Sequence, residues 1–257
     1  MFPRWCLRLS LVFLLQHTVQ AQTIDAYTTE YPPYESAHFG LPSGYAVEVV
    51  KELAHRNGDQ VVFHFSPWAR AYALAEQHPD SLIFCMSKSD MADSKFVWLG
   101  NIAANDVALW QLRTRNDIHL YRLADAMSYQ IGVVRNDYKT RYMLSQGFRS
   151  GQQLQESDSD LTNLRKLLAG HLDLLPANDS ESLEQLMRDN ALDPKLLKPA
   201  LHLPKLTSPL GIAFSPASNP ALIQRYTRTL EKMRQDGFLD KQKVLLNLSL
   251  SSAHASN

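Results

Sequence analysis

The chain has 257 residues, 26 basic and 26 acidic side chains, and 45% hydrophobic residues. So even a balance gives no electrostatic footprint for nucleic acid or an anionic membrane surface. The length exceeds what one hydrophobic core usually fills and suits two lobes of roughly 100–150 residues.

At the start, Arg4 and Arg8 precede an apolar run from Leu9 to Leu15, and Val19-Gln20-Ala21 supplies the small-x-small pattern of a signal peptidase site. The run falls short of the about 20 residues a hydrocarbon core requires, so residues 1–21 read as a cleavable secretion signal. Cys6 leaves with it and, lying ahead of the apolar run, does not match a lipoprotein attachment site. Cys85 then remains alone, and within Leu82-Ile83-Phe84-Cys85 it reads as a small core residue.

Thr23 to Tyr27 reads as a short strand, followed by a turn-rich loop to Ser43. Ala46, Val49, Val50, Leu53 and Ala54 form one apolar stripe at helical spacing, with Ser43 as the expected N-cap and Gly58 just past the end. Val61 to Phe65 is a second strand. Ser66-Pro67-Trp68 opens a second helix that stops before Pro79, and Leu82 to Cys85 makes a third strand. Strand, helix, strand, helix, strand predicts a parallel sheet with right-handed crossovers. The loops Thr28 to Tyr34, Ser66 to Arg70 and Met86 to Asp90 then gather on one edge, where open α/β sheets bind ligands.

The pattern recurs downstream. Gln130 to Val134 is a strand leading through Arg135-Asn136-Asp137 into a helix with Tyr138, Tyr142 and Met143. Asp160 is expected to cap a helix ended by Gly170, and Leu172 to Leu175 to run as a strand into Asn178 and Asp179. Leu210 to Phe214 is strand-like, and Asn219-Pro220 opens a long helix through Met233 that Gly237 terminates. The polar stretch Ser249 to Asn257 is expected to fray. No repeat and no low-complexity linker interrupts the chain, so strands are expected to join the lobes.

Motifs for other chemistries are absent from the sequence: no phosphate-cradling or dinucleotide glycine pattern, no His-Glu-x-x-His, no Gly-x-Ser-x-Gly elbow. The histidines are scattered, at spacings that do not suit zinc. No cofactor or metal is expected.

The order of motifs resembles the bacterial extracellular solute-binding proteins of family 3, the polar amino-acid type that feeds ABC transporters. The matching stretches are Glu30-Tyr31-Pro32-Pro33-Tyr34, Ser43 to Val50, Pro67-Trp68-Ala69-Arg70-Ala71, Phe96 to Ile102, Gly170-His171-Leu172-Asp173 and Arg234 to Phe238. The resemblance implies a two-lobed α/β fold of the type II periplasmic-binding-protein kind, with a ligand cleft between the lobes. Lobe one would comprise residues 22–104 and 208–257, and lobe two residues 105–207. It further implies a monomeric periplasmic protein, not an enzyme, that hands a small polar solute to a membrane permease. The alternatives are a protein that presents its ligand to a membrane sensor, or a dehydratase-like enzyme on the same clamshell, with Glu30, Lys88 and Asp137 as its acid or base.

By the same resemblance, Tyr31 and Trp68 would cover the two faces of the ligand, since rigid rings bury a ligand stem at little entropic cost. Ser87 and Ser89 fall where the family places donors, with Lys88 between them. Relatives that bind α-amino acids carry an arginine where this chain has Ala92, and an aspartate for the ligand ammonium where it has Asn178. Arg135-Asn136-Asp137 replaces the family's glycine-threonine turn, with Asp137 expected to cap its own helix and Tyr138 beside it. The expected ligand is therefore neutral or partly charged, or a carboxylate held by Arg70, Lys88 or Arg135. The expected contacts are Glu30, Tyr31, Trp68, Arg70, Ser87, Lys88, Ser89, Arg135, Asn136, Tyr138 and Asn178.

Overall fold

The computed structural model describes residues 21–37, 40–89 and 95–255, the last nine of these by backbone alone. Most of residues 1–21, and Asp90 to Ala92, lie outside the described residues, so the signal segment and the Ala92 position gain no structural account.

The first sheet is built from strands β1 (Thr23–Thr28), β2 (Gln60–Phe65), β3 (Leu82–Ser87) and β4 (Val97–Ala103), with β10 (Leu210–Phe214) returning from late in the chain. Their order across the sheet is β2-β1-β3-β10-β4. β1 pairs parallel with both β2 and β3, as the alternation of strands and helices predicts, whereas β10 runs antiparallel to β3 and β4. Helices α1 (Tyr45–Arg56) and α2 (Trp68–Gln77) make the two crossovers. The stripe on α1 is buried as its periodicity demands: Ala46, Val49, Val50 and Leu53 are fully enclosed.

The second half holds β5 (Ala108–Leu112), β6 (Ile131–Val134), α3 (Tyr138–Ser145), β7 (Leu154–Ser157), α4 (Asp160–Leu168), β8 (Leu175–Ala177), α5 (Ser180–Asp189) and β9 (Leu197–His202). Strands β8, β5 and β9 form one sheet, and β6 pairs parallel with β7. Helix α6 (Pro220–Gln235) then packs back on the first sheet, where Tyr226, Leu230 and Met233 join the core of Ile24, Leu53 and Phe84, and α7 (Phe238–Ala255) packs against α1 and α6. Separate clusters around Leu109 and Met143, and around Leu164 and Met187, form the interior of the second half. Val134, at the end of β6, packs with Trp68, Tyr27 and Phe96 of the first, so the halves meet beside the carboxyl ends of their strands.

Four local expectations change. Ser43 does not cap α1: Gly44 stands at that position, and backbone carbonyls take over the capping. Ser159, not Asp160, caps α4, its hydroxyl accepting from the Thr162 N–H at 3.2 Å. The strand expected at Leu172 to Leu175 lies further on, at Leu175–Ala177, with Leu174 making only an isolated bridge to Ile131. The tail expected to fray from Ser249 is helical in its backbone through Ala255.

Candidate functional site

The loop after β1 is held in place by the start of α1. The carbonyls of Pro33 and Tyr34 accept from the Tyr45 and Ala46 N–H groups at 3.3 and 2.7 Å, satisfying donors that a helix N-terminus leaves unpaired. Gly44 permits this closeness: its φ is 108°, and a Cβ there would lie 2.6 Å from the Tyr34 carbonyl oxygen. The loop carries Tyr31 and Glu35 over the carboxyl ends of β1 and β3. Tyr34 and Tyr45 pack beneath it, and Tyr45 donates to the Ile102 carbonyl at 2.7 Å, so both act in the core.

Between these loops and the second half lies a cavity of about 630 Å³, within the usual range for small-molecule sites. The strand-end loops of the first sheet line one side through Tyr31, Phe65, Trp68 and Ser87. The second half supplies Tyr138, Lys139, Asn178 and Ser182. The two sides touch directly, because the Tyr31 hydroxyl lies 3.3 Å from Asp179 Oδ2. Asp179 is meanwhile the N-cap of α5, accepting from the Ser182 N–H at 2.9 Å.

The wall from the second half is a polar network. Asn105 donates to the Tyr138 hydroxyl at 2.8 Å, and Tyr138 donates to Asn178 Oδ1 at 3.0 Å. Lys139 Nζ reaches the same Asn178 oxygen and Asp137 Oδ2, both at 3.2 Å. Its side chain is 3% exposed. Burial alone would discharge such an ammonium, but Asp137, with smaller help from Tyr138 and Asp160, outweighs it and keeps the amine protonated. Burial pushes the Asp160 carboxyl up, with Lys139 pulling against it.

The opposite side carries unpaired polar groups. Glu35 Oε2, Ser66 Oγ and Trp68 Nε1 are buried without a hydrogen-bond partner, and all three residues line the cavity. Glu35 is 1% exposed, and its other oxygen accepts from the Thr28 hydroxyl at 2.6 Å. Burial pushes its carboxyl up to about 8, against weaker opposing effects from Cys85 and Thr28. Cys85 has a φ of 51° and sits where the pairing of β3 with β10 slips register, and it lines the cavity beside Glu35. Such a bulge re-aims a side chain.

Of the residues singled out in the sequence, Glu30, Tyr31, Trp68, Ser87, Tyr138 and Asn178 line this one cavity. Glu30 is an exposed member of the rim, accepting from Ser36 Oγ and the Ala37 N–H, both at 2.8 Å. Arg70, Lys88, Ser89, Arg135 and Asn136 are not among the lining residues. Arg70 and Lys88 are exposed, and Ser89 spends its N–H on the Ser87 hydroxyl at 3.3 Å. Arg135 turns toward Glu156 and Asp158, at 4.0 and 3.7 Å. Asn136 adopts a left-handed conformation, φ 58°, in the turn before α3. The expectation that one of those three cations holds a ligand carboxylate therefore lacks support from the cavity. Asp137 does cap α3, accepting from the Lys139 N–H at 2.7 Å.

Sequence reasoning missed Glu35 and Lys139. Glu35 follows the Tyr-Pro-Pro-Tyr run directly, and a carboxylate within an apolar turn was the available signal. Lys139 lies in the second position of α3, where a lysine opposes the helix dipole and so calls for a partner such as Asp137.

Two α/β halves, a cavity between their strand ends and side chains from both sides define a two-lobed binding protein. The sequence profile of the bacterial extracellular solute-binding proteins, family 3, matches residues 24–244, and the chain belongs to that family. No curated protein is significantly similar in sequence. Among solved structures, the fold is shared with a histidine kinase sensor domain similar to periplasmic binding proteins: TM-score 0.76, 19% identity, covering 88% of this chain and 96% of that one. It is shared too with an arginine transport system periplasmic binding protein from Legionella pneumophila, with TM-score 0.70, 16% identity, and coverage of 88% and 99%. An amino acid ABC transporter substrate-binding protein from Streptococcus pneumoniae, bound to L-arginine, gives TM-score 0.72 and 15% identity over 90% and 96%.

Proposed function

We propose that this protein captures a small polar solute, amino-acid-like or related, in the cavity between its lobes and passes it unchanged to a membrane partner. The lobes are residues 22–104 with 208–257, and 105–207, a division supported by the sheets and cores that each range assembles. The carrying observation is the cavity lined from both sides, with Tyr31, Phe65 and Trp68 facing Tyr138 and Asn178. A ligand touching both sides offsets the free energy of bringing them together, and a partner can then read the closed form.

The partner is a permease of an ABC transporter, by analogy with the transport-system relatives. The sensor-domain neighbour favours a second reading, in which the closed form is presented to a membrane sensor. In both, the protein acts as a monomer in the periplasm, released there by cleavage after residue 21. Among the described residues no helix is long and apolar enough to cross a membrane.

The testing experiment is a thermal-shift screen against amino acids, amines, small peptides and organic acids. A solute at 100 times its dissociation constant adds about 2.7 kcal/mol of apparent stability. Mass spectrometry of the stabilising solute after incubation returns it intact under this reading, and a dehydrated product would establish the clamshell enzyme instead.

A further inference from the structure

The cavity does not stop at the strand ends of the second half. Its lining continues with Leu161 and Arg165 of α4 and with Leu183, Leu186, Asp189 and Asn190 along α5. On each helix these residues recur every three or four positions, so each turns one face toward the same space. Leu183 to Asn190 covers about two turns, roughly 10 Å of wall beyond Tyr138 and Asn178. Both walls of this arm belong to the second half, so its shape does not depend on how the two sides of the cavity meet. The two helices make few backbone contacts with each other, which leaves room between their facing side chains.

The floor of the arm is apolar. Leu183 is buried in the cluster of Leu164 and Met187, and Leu161 and Leu186 pack on it while remaining half-buried. Hydrocarbon exposed in a groove favours an apolar group over water. At the far end the surface turns polar. Arg165, an exposed side chain, donates one N–H to Asn190 Oδ1 at 3.3 Å, and Asp189 accepts from Gln185 Nε2 at 2.6 Å. A guanidinium has five N–H donors, so this one bond leaves Arg165 able to fork a carboxylate.

We propose that this arm is a second subsite, which receives the outer part of an elongated solute: a peptide of two or three residues, with an apolar side chain on the leucines and its carboxylate against Arg165. The proposal rests on the solute-binding reading above and names the class of its ligand. Length supports it, because an extended chain spans about 3.3–3.6 Å per residue and a single amino acid held at Tyr138 and Asn178 leaves the arm unused. The sequence of surfaces supports it too. A plain hydrocarbon tail would bury the Arg165 and Asn190 end without a partner, whereas a peptide ends in the group that Arg165 recognises.

The test measures binding to the purified protein, by isothermal titration, of each standard free amino acid and of tripeptides Xaa-Ala-Leu with Xaa varied over the same set. The proposal expects at least one tripeptide to bind about tenfold or more tighter than its free first amino acid, since burying a leucine side chain is worth that much. Leu186→Asp should weaken that tripeptide by about tenfold or more and leave the free amino acid unchanged. Arg165→Ala, at an exposed position, should weaken it several-fold. Amidating the tripeptide carboxylate should do the same to the wild type and nothing further to Arg165→Ala.

Free amino acids that bind as tightly as every tripeptide overturn the proposal. Unchanged tripeptide affinity in Leu186→Asp, or in Arg165→Ala should Leu186→Asp not fold, overturns it as well and gives the groove another occupant. If free amino acids bind and no tripeptide does, the second subsite falls while the solute-binding reading stands; if nothing in the wider screen binds, both fall.

Discussion

The Tyr31 hydroxyl stands 3.3 Å from Asp179 Oδ2, joining the loop after β1 to the cap of α5 across 148 residues of sequence. It is a direct polar link between the two sides of the cavity, made by a residue that also lines it. Tyr31→Phe keeps the ring and removes the link. Solute affinity should fall about fivefold, the equivalent of about 1 kcal/mol for one net hydrogen bond, with the melting temperature nearly unchanged. Isothermal titration paired with calorimetric melting checks both, and an unchanged dissociation constant would show that the contact has no part in closure.

Trp68 belongs to the cavity and to the core at once. It is 7% exposed, packs edge-on against Tyr72 and shares a cluster with Tyr27 and Phe96. Removing it as Trp68→Ala should cost about 3–5 kcal/mol in stability, so loss of binding in that variant is uninformative. Trp68→Phe retains an aromatic wall and deletes the indole N–H. Its urea midpoint should stay close to that of the wild type while solute affinity drops several-fold; equal affinity would remove Trp68 Nε1 from the site.

Lys139 offers a stability test independent of any solute. Lys139→Met leaves Asp137 without its ion-pair partner in a largely buried setting, which should cost about 3–5 kcal/mol. Pairing it with Asp137→Asn should restore part of that loss, because the orphaned charge disappears. A double-mutant cycle by urea denaturation measures the coupling, and strictly additive losses would mean that the pair contributes nothing.

Much of the first sheet could be read from the chain because periodicity and punctuation agree there: the α1 stripe, Pro67 before α2, Pro79 after it, and Asn219-Pro220 at the start of α6. The parallel order of β1, β2 and β3 followed from the crossovers. Strands β4, β5, β7 and β9 were not anticipated. β9, with Pro199, and the polar Leu154–Ser157 lack a clear alternation, and their pairing is decided by partners distant in sequence. The site divides similarly. Aromatics beside turn residues, Tyr31 and Trp68, announced themselves. Charged residues in the same loops, Arg70, Lys88 and Arg135, attracted attention by type alone, and the orientation that excludes them from the lining depends on tertiary contacts. Glu35 was overlooked because its burial is a tertiary outcome: the loop after β1 carries it against Cys85 of β3, 50 residues further along the chain.

Glu35 also predicts a pH dependence of stability without solute. Its carboxyl moves from the ordinary 4.5 to about 8 on folding, so between those values the folded chain keeps a proton that the unfolded chain has lost. Stability should therefore decline as pH rises from about 5 to about 8, with a slope approaching about 1 kcal/mol per unit, and then level. Glu35→Gln should lack that decline. Urea midpoints at four pH values for both proteins settle it, and parallel curves would place the titration elsewhere.

The most direct test of the account is a crystal structure of the protein with the solute that stabilises it most. The account predicts that solute in the cavity, in contact with Tyr31 or Trp68 from one side and with Tyr138 or Asn178 from the other. A solute held by one side alone, or bound outside the cavity, would contradict it.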